Sequence, residues 1–169
     1  MTFPHLKTGR EYGTIKKTKK MKPDIRPATT PVGMNGSHFS VFVVDDDESF
    51  LFALAFHLKK DTGCKVYCYT SVEECLCHLN HNPDVIILDY YFDREGENNI
   101  DGMTALQLIK SVKSKIPVIM ISAQHDIEVS MELLKAGAFT YIIKDHEALK
   151  TIEKTLLSLR SLLAAQQSH

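Results

Sequence analysis

VFVVDDDESF, residues 41–50, runs four apolar residues straight into four acids, Asp45, Asp46, Asp47 and Glu48. A run of Val and Phe without polar alternation reads as a strand buried on both faces of a sheet. Like charges crowded at its mouth repel one another, so something positive should sit among them. The same punctuation recurs down the chain. Apolar runs at 39–44, 65–69, 85–88, 118–121 and 141–143 alternate with helical patterns at about 48–60, 71–81, 104–113, 126–136 and 146–163. Leu51, Leu54, Ala55 and Leu58 repeat at helical spacing ahead of a stop at Gly63. Ser71 and Glu74 make an S-x-x-E capping box, Gly137 ends the fourth helix, and Leu149, Ile152, Leu156, Leu159 and Leu163 stripe the last. Strands alternating with helices in this way predict an α/β sheet with right-handed crossovers and helices on both faces.

In such sheets functional groups gather at the carboxyl ends of the strands. Those ends carry Asp45 and Asp46 on the first strand, Asp89 on the third, Ser122 on the fourth and Lys144 on the fifth. Clustered carboxylates with room for water suit Mg²⁺, whose charge removes the repulsion that would otherwise raise their pKa values. Asp89, kept ionised, can then act as a nucleophile towards a phosphoryl group. Ser122 and Lys144 can hydrogen-bond two oxygens of that group, and positioning with charge neutralisation is most of what phosphoryl transfer requires.

The totals narrow the setting. A chain of 169 residues with 44% hydrophobic content fits one domain with an appendage. No run is long enough to cross a bilayer and the N-terminus lacks a secretory core, so the expected location is cytoplasmic. Cys64, Cys68, Cys75 and Cys77 show no CxxC and read as small reduced thiols; with His78 they lack the paired spacing of a zinc site. The histidines are scattered, with no nucleophile–His–acid arrangement. The formal net charge of -1 hides a split, because eight of the 20 basic residues and only Glu11 and Asp24 among the acids lie in residues 1–38. That stretch has no apolar period and is punctuated by Pro and Gly. It reads as a basic, mostly disordered, solvated extension, within which Met34 could serve as an alternative start, ahead of a domain at 39–165.

Five pieces in order resemble the receiver domain of two-component response regulators: VFVVDDDES, PDVIILDYYF, DGM, IPVIMISAQ and AGAFTYIIKD. The resemblance covers about 39–163. It implies a flavodoxin-like, five-stranded parallel sheet of order 2-1-3-4-5. It makes Asp89 the phosphorylated residue, Asp46 a direct Mg²⁺ ligand, Asp45 a ligand through water or a supporting acid, and the backbone carbonyl of Tyr91 the remaining protein ligand. Ser122 would shift towards the phosphoryl group, Tyr141 would rotate inward behind it, and Lys144 would bind a phosphoryl oxygen.

Two places depart from the family pattern. YYFDREGENNIDG after the acceptor strand is longer than the usual loop, lacks its proline, and carries Asp93, Glu95, Glu97 and Asp101, read as a solvated acidic loop. Asp145 stands where a proline often follows the lysine, and a cis bond there would cost about 3 kcal/mol or more, so a trans peptide is expected. Tyr91 and Gln124 flank the route by which water would reach an acyl phosphate in this family.

The implied function is a stand-alone signalling phosphoacceptor that catalyses only its own phosphorylation and dephosphorylation, and is otherwise no enzyme. Its donor would be a histidine kinase or histidine phosphotransfer protein and its output a downstream protein target. No DNA-binding segment is read after Leu163. Ser49, Phe52 and Tyr141 are the expected partner contacts. Phe52 and Phe56 either meet a partner or lie under a neighbouring element. A homodimer through the fourth-helix to fifth-helix face follows from resemblance alone, with Leu157 and Leu162 broadening the last helix's stripe. The alternative function is a receiver-like scaffold or binding module that is never phosphorylated.

Overall fold

The computed structural model describes residues 39–92 and 100–167. The basic extension at 1–38 and the loop acids Asp93, Glu95 and Glu97 lie outside them. The elements are β1 Ser40–Val44, α1 Glu48–Thr62, β2 Lys65–Tyr69, α2 Val72–His78 with a 3₁₀ turn Leu79–His81, β3 Val85–Asp89, α3 Gly102–Val112, β4 Val118–Ser122, α4 Ile127–Lys135, β5 Thr140–Ile143 and α5 Ala148–Gln167. All strands are parallel, in the order β2-β1-β3-β4-β5, as the resemblance implies.

The Val and Ile runs are explained by burial on both faces. Val41, Val43, Val85, Ile87, Ile119 and Ile121 pack with Leu51, Leu54 and Leu58 of α1 and with Ile152, Leu156 and Leu159 of α5. Their neighbours Phe42, Val44, Ile86, Leu88, Val118 and Met120 pack the opposite way, with Cys75 of α2, Leu106 and Ile109 of α3 and Leu133 of α4. Side chains alternate across a strand, so β1, β3 and β4 each supply two cores at once with almost no solvent face for polar residues, whereas the edge strands keep Lys65 of β2 exposed and Thr140 and Tyr141 of β5 partly so. Leu54 has no exposed surface, and Leu54→Ala would cost about 2–5 kcal/mol.

Helix boundaries follow from side chains that satisfy the first free N–H groups. The Asp47 carboxylate accepts from the amides of Ser49 and Phe50, Ser71 Oγ from Glu74, Asp101 from Thr104 and Asp126 from Val129. α1 ends at Gly63, whose φ of 66° is the left-handed conformation a terminating glycine adopts without strain. α3 starts two residues earlier than the apolar pattern suggests because Asp101 is its cap, which also removes Asp101 from the set of free loop acids. α5 starts later and runs further than predicted. The Asp145 side chain holds the Glu147 amide and its carbonyl accepts from the Ala148 amide, so the helix begins after that turn. Beyond Leu163 the residues Ala164, Ala165, Gln166 and Gln167 are good helix formers.

Candidate functional site

The five strands run parallel, so their carboxyl ends share one edge of the sheet, and the chain leaves β1, β3, β4 and β5 carrying its chemistry. Asp45 follows β1, Asp89 closes β3, Ser122 closes β4 and Lys144 follows β5. Asp45 and Ser122 are fully buried and Asp89 is 4% exposed. The Lys144 ammonium reaches between two strands, with Nζ 2.7 Å from Asp45 Oδ2 and 2.9 Å from Asp89 Oδ2. Asp45, Asp46 and Asp89 bring one carboxylate oxygen each within 4.8 Å of one another. The sequence-predicted acids, hydroxyl and lysine are therefore brought to one place.

Backbone bonds hold the group. The Asp45 amide donates to the Tyr69 carbonyl at 3.1 Å, the Tyr90 amide to Asp89 Oδ1 at 2.9 Å, and the Lys144 amide to the Ser122 carbonyl at 2.7 Å. Ser122 Oγ accepts from the Gln124 amide at 3.1 Å. Tyr141 Oη donates to the Gln124 carbonyl at 2.6 Å, and Tyr91 Oη to Gln124 Oε1 at 2.9 Å. Tyr91 and Gln124, which the resemblance sets beside a route for water, are thus bonded to each other. No described peptide bond is cis, so Lys144–Asp145 is trans as expected.

Burial dominates the electrostatics. It pushes the Asp89 carboxyl up to about 6, the Asp45 charge adds to the rise, and Lys144 partly offsets both. Asp45 is raised for the same first reason, with Lys144 again opposing. Burial would push the Lys144 ammonium down, but its close contacts and charge interactions with Asp45 and Asp89 outweigh that and hold it above its ordinary value. Asp45 Oδ2 is buried and close to Lys144, yet has no well-aligned hydrogen bond. A buried, under-satisfied carboxylate oxygen among other carboxylates and no soft ligands is a donor set that fits a hard divalent cation such as Mg²⁺.

The remaining candidates lie apart. Ser49 is exposed, and Phe52 and Phe56 on α1 are 57% and 64% exposed, not covered by a neighbouring helix. Leu157 and Leu162 also face outward. Cys64, Cys68, Cys75 and Cys77 are free thiols, and burial pushes Cys68 up to about 11 and Cys75 up to about 12, away from thiolate ligand chemistry. No described helix is long and apolar enough to cross a membrane.

Sequence reasoning missed two residues beside the pocket. The Asp47 amide donates to Asp45 Oδ1 at 3.0 Å while its carboxylate caps α1. The Phe50 ring lies under the ammonium of Lys144, which is 4.8 Å from the ring centroid. Asp47 was visible only as one more acid, although an Asp immediately ahead of an apolar helical pattern, with Glu48 in the first turn, is a capping signal.

Comparison with known proteins agrees with this fold. The family model for the response regulator receiver domain matches residues 41–156. A two-component response regulator of Oryza sativa subsp. japonica, ORR27, is 33% identical over 141 residues, covering 82% of this chain and 22% of its own length. The regulatory protein AtoC of Escherichia coli K12 is 30% identical over 128 residues, covering 72% and 26% respectively. The chain thus spans about a quarter of the length of these relatives. The receiver domain of a Francisella response regulator superposes with a TM-score of 0.65 at 24% identity, over 73% of this chain and 98% of that one.

Proposed function

The chain belongs to the response regulator receiver family, and from that footing we propose that Asp89 accepts a phosphoryl group from a phosphohistidine and that the modification switches a protein-binding surface. The observation that carries the proposal is Lys144 held 2.7 Å and 2.9 Å from carboxylates of two different strands. Few structural needs would bury two acids and a lysine together at strand ends, whereas an acceptor pocket needs all three.

Asp45, Asp46, Asp89 and the Tyr91 carbonyl would hold Mg²⁺, which when bound neutralises the acids and draws one phosphoryl oxygen. An ionised Asp89 oxygen attacks phosphorus as the P–N bond to the donor breaks. The electron pair returns to the donor's imidazole nitrogen, which takes up a proton. Lys144 exchanges its Asp89 contact for a phosphoryl oxygen, and Ser122 Oγ donates to another. The Gln124 amide already holds Ser122 Oγ and its carbonyl holds Tyr141. A shift of Ser122 is therefore transmitted to the α4–β5 surface as a population shift between two arrangements. The chain catalyses its own dephosphorylation as well.

The donor is a histidine kinase or histidine phosphotransfer protein, docked on the exposed Ser49 and Phe52 of α1. The output is a protein contact in the cytoplasm through the face that includes Tyr141, where exposed Ile127, Met131 and Leu134 on α4 also suit a homodimer. The test is intact mass after incubation with acetyl phosphate. One phosphoryl group should appear with Mg²⁺ and not with EDTA, and Asp89→Asn should abolish it. Addition that persists in Asp89→Asn would overturn the assignment. No addition, together with no response to beryllofluoride, would favour the scaffold reading.

A further inference from the structure

We infer that Phe50 is a positioning residue for Lys144, and that Asp47 serves the pocket by fixing Phe50. The inference deepens the function proposed above and rests on it.

A closed circuit of contacts supports it. The Asp47 amide donates to Asp45 Oδ1 at 3.0 Å. The Asp47 carboxylate then accepts from the amides of Ser49 and Phe50, at 2.8 and 3.2 Å, which fixes the first turn of α1 and the direction from which the Phe50 side chain leaves it. The Phe50 ring packs against the core beneath α1 and lies 4.8 Å from Lys144 Nζ, measured to its centroid. Lys144 closes the loop at Asp45 Oδ2, 2.7 Å away. The links are amide-to-carboxylate hydrogen bonds, a cation–π contact and an ion pair, and the loop closes on Asp45.

The circuit explains what the carboxylates alone leave open. A lysine stem has four rotatable bonds and a compact, strongly hydrated charge, so two acids define its distance but not its approach. An aromatic face attracts an ammonium through its quadrupole while excluding water from that side. With Phe50 on one flank and Asp45 and Asp89 ahead, the ammonium is steered towards the edge of the sheet where a phosphoryl oxygen would arrive. An aliphatic residue at 50 would fill similar space and bury the stem without attracting the charge. The run of acids at 45–48 thereby divides by role: Asp45 and Asp46 belong to the pocket, and Asp47 belongs to the helix that holds its aromatic wall.

Two readouts test this. In Mg²⁺-free protein, the Lys144 CεH₂ resonances should carry an upfield ring-current shift that is lost in Phe50→Leu and kept in Phe50→Tyr. In phosphorylation by acetyl phosphate, Phe50→Leu should lower the maximal rate about three- to tenfold, in line with a desolvated cation–π contact, with the Mg²⁺ dependence unchanged. Phe50→Tyr should stay within about twofold of the parent by the same reasoning. In a Lys144→Met background, Phe50→Leu should have no further effect, because the wall acts only through the ammonium. Should Phe50→Leu fold poorly, pentafluorophenylalanine at 50 keeps the shape, reverses the ring electrostatics, and should give the same rate loss. A parent-like rate in both the leucine and fluorinated proteins, or an equal loss in the Lys144→Met background, overturns the inference while leaving the acceptor assignment standing. Absence of phosphorylation in the parent protein overturns that assignment and this inference with it.

Discussion

Among the described residues, two places gather two carboxylates around one basic side chain, one at the ends of the strands and one on the helical surface. At the strand ends Lys144 meets Asp45 and Asp89 at 2.7 and 2.9 Å; between α1 and α5, His57 meets Glu153 and Asp61 at 2.9 and 3.0 Å. The separations are the same within 0.3 Å, so distance does not distinguish them. Depth does. The side chains of the first group are 14%, 0% and 5% exposed, those of the second 23%, 25% and 35%. Solvent screens the helical cluster and leaves it a small net contribution, whereas the strand-end cluster sits where charge is costly and its partners strongly coupled. Strand ends can be that deep because neighbouring backbones satisfy their polar groups, while a helix surface exposes at least one side.

The comparison can be broken most severely at Lys144. Lys144→Met leaves two buried carboxylates facing one another and should destabilise the Mg²⁺-free protein by about 3 kcal/mol at pH 7, measured by urea unfolding. Added Mg²⁺ should recover part of that loss, and a loss below about 0.5 kcal/mol would mean that the pocket is as well screened as the helical cluster.

Asp89 provides the opposite sign. Its carboxyl is raised from 3.8 to about 6, so between those values the folded state binds more protons than the unfolded chain. Stability of the Mg²⁺-free protein should therefore fall as pH rises from about 4 to about 6 and level off above, by at most about 3 kcal/mol. Asp89→Asn should remove that slope and raise the unfolding midpoint at pH 7. A midpoint that is unchanged or lowered would show that Asp89 is stabilised, not strained, by its surroundings. The smallest effect belongs to the helical cluster, where Glu153→Gln should change stability by less than about 1 kcal/mol and should be further damped by salt.

Much of this was legible in the sequence, for reasons that can be named. Strands buried on both faces leave uninterrupted Val and Ile runs, and their ends are marked by the first charged or hydroxyl residue, so the sequence alone puts Asp45, Asp89, Ser122 and Lys144 on one edge. Helix starts were less legible. Asp47 and Asp101 looked like members of acidic runs because a cap and a ligand are the same residue type, and only the direction of the carboxylate separates them. The Phe50 contact was illegible, since the two partners are 94 positions apart and nothing in an apolar residue on the first helical turn names the cation it will face. Phe52 and Phe56 stayed ambiguous until the helix was packed, because two apolar stripes on one helix do not say which is inside.

Tyr90 and Gly102 stand at the two ends of the segment that joins β3 to α3. The Gly102 amide donates to the Tyr90 carbonyl at 2.9 Å, and a methyl group at Gly102 would sit 2.5 Å from Tyr90 Cα. Glycine is what lets the two backbones meet. The segment between them is thus cinched at its neck, one residue beyond Asp89, and its length is uncoupled from the position of Asp89. Doubling such a segment costs only about 0.6 kcal/mol in closure entropy. A recognition peptide could therefore be exchanged or enlarged between Phe92 and Ile100, with Tyr91 on one side and the Asp101 cap of α3 on the other left in register.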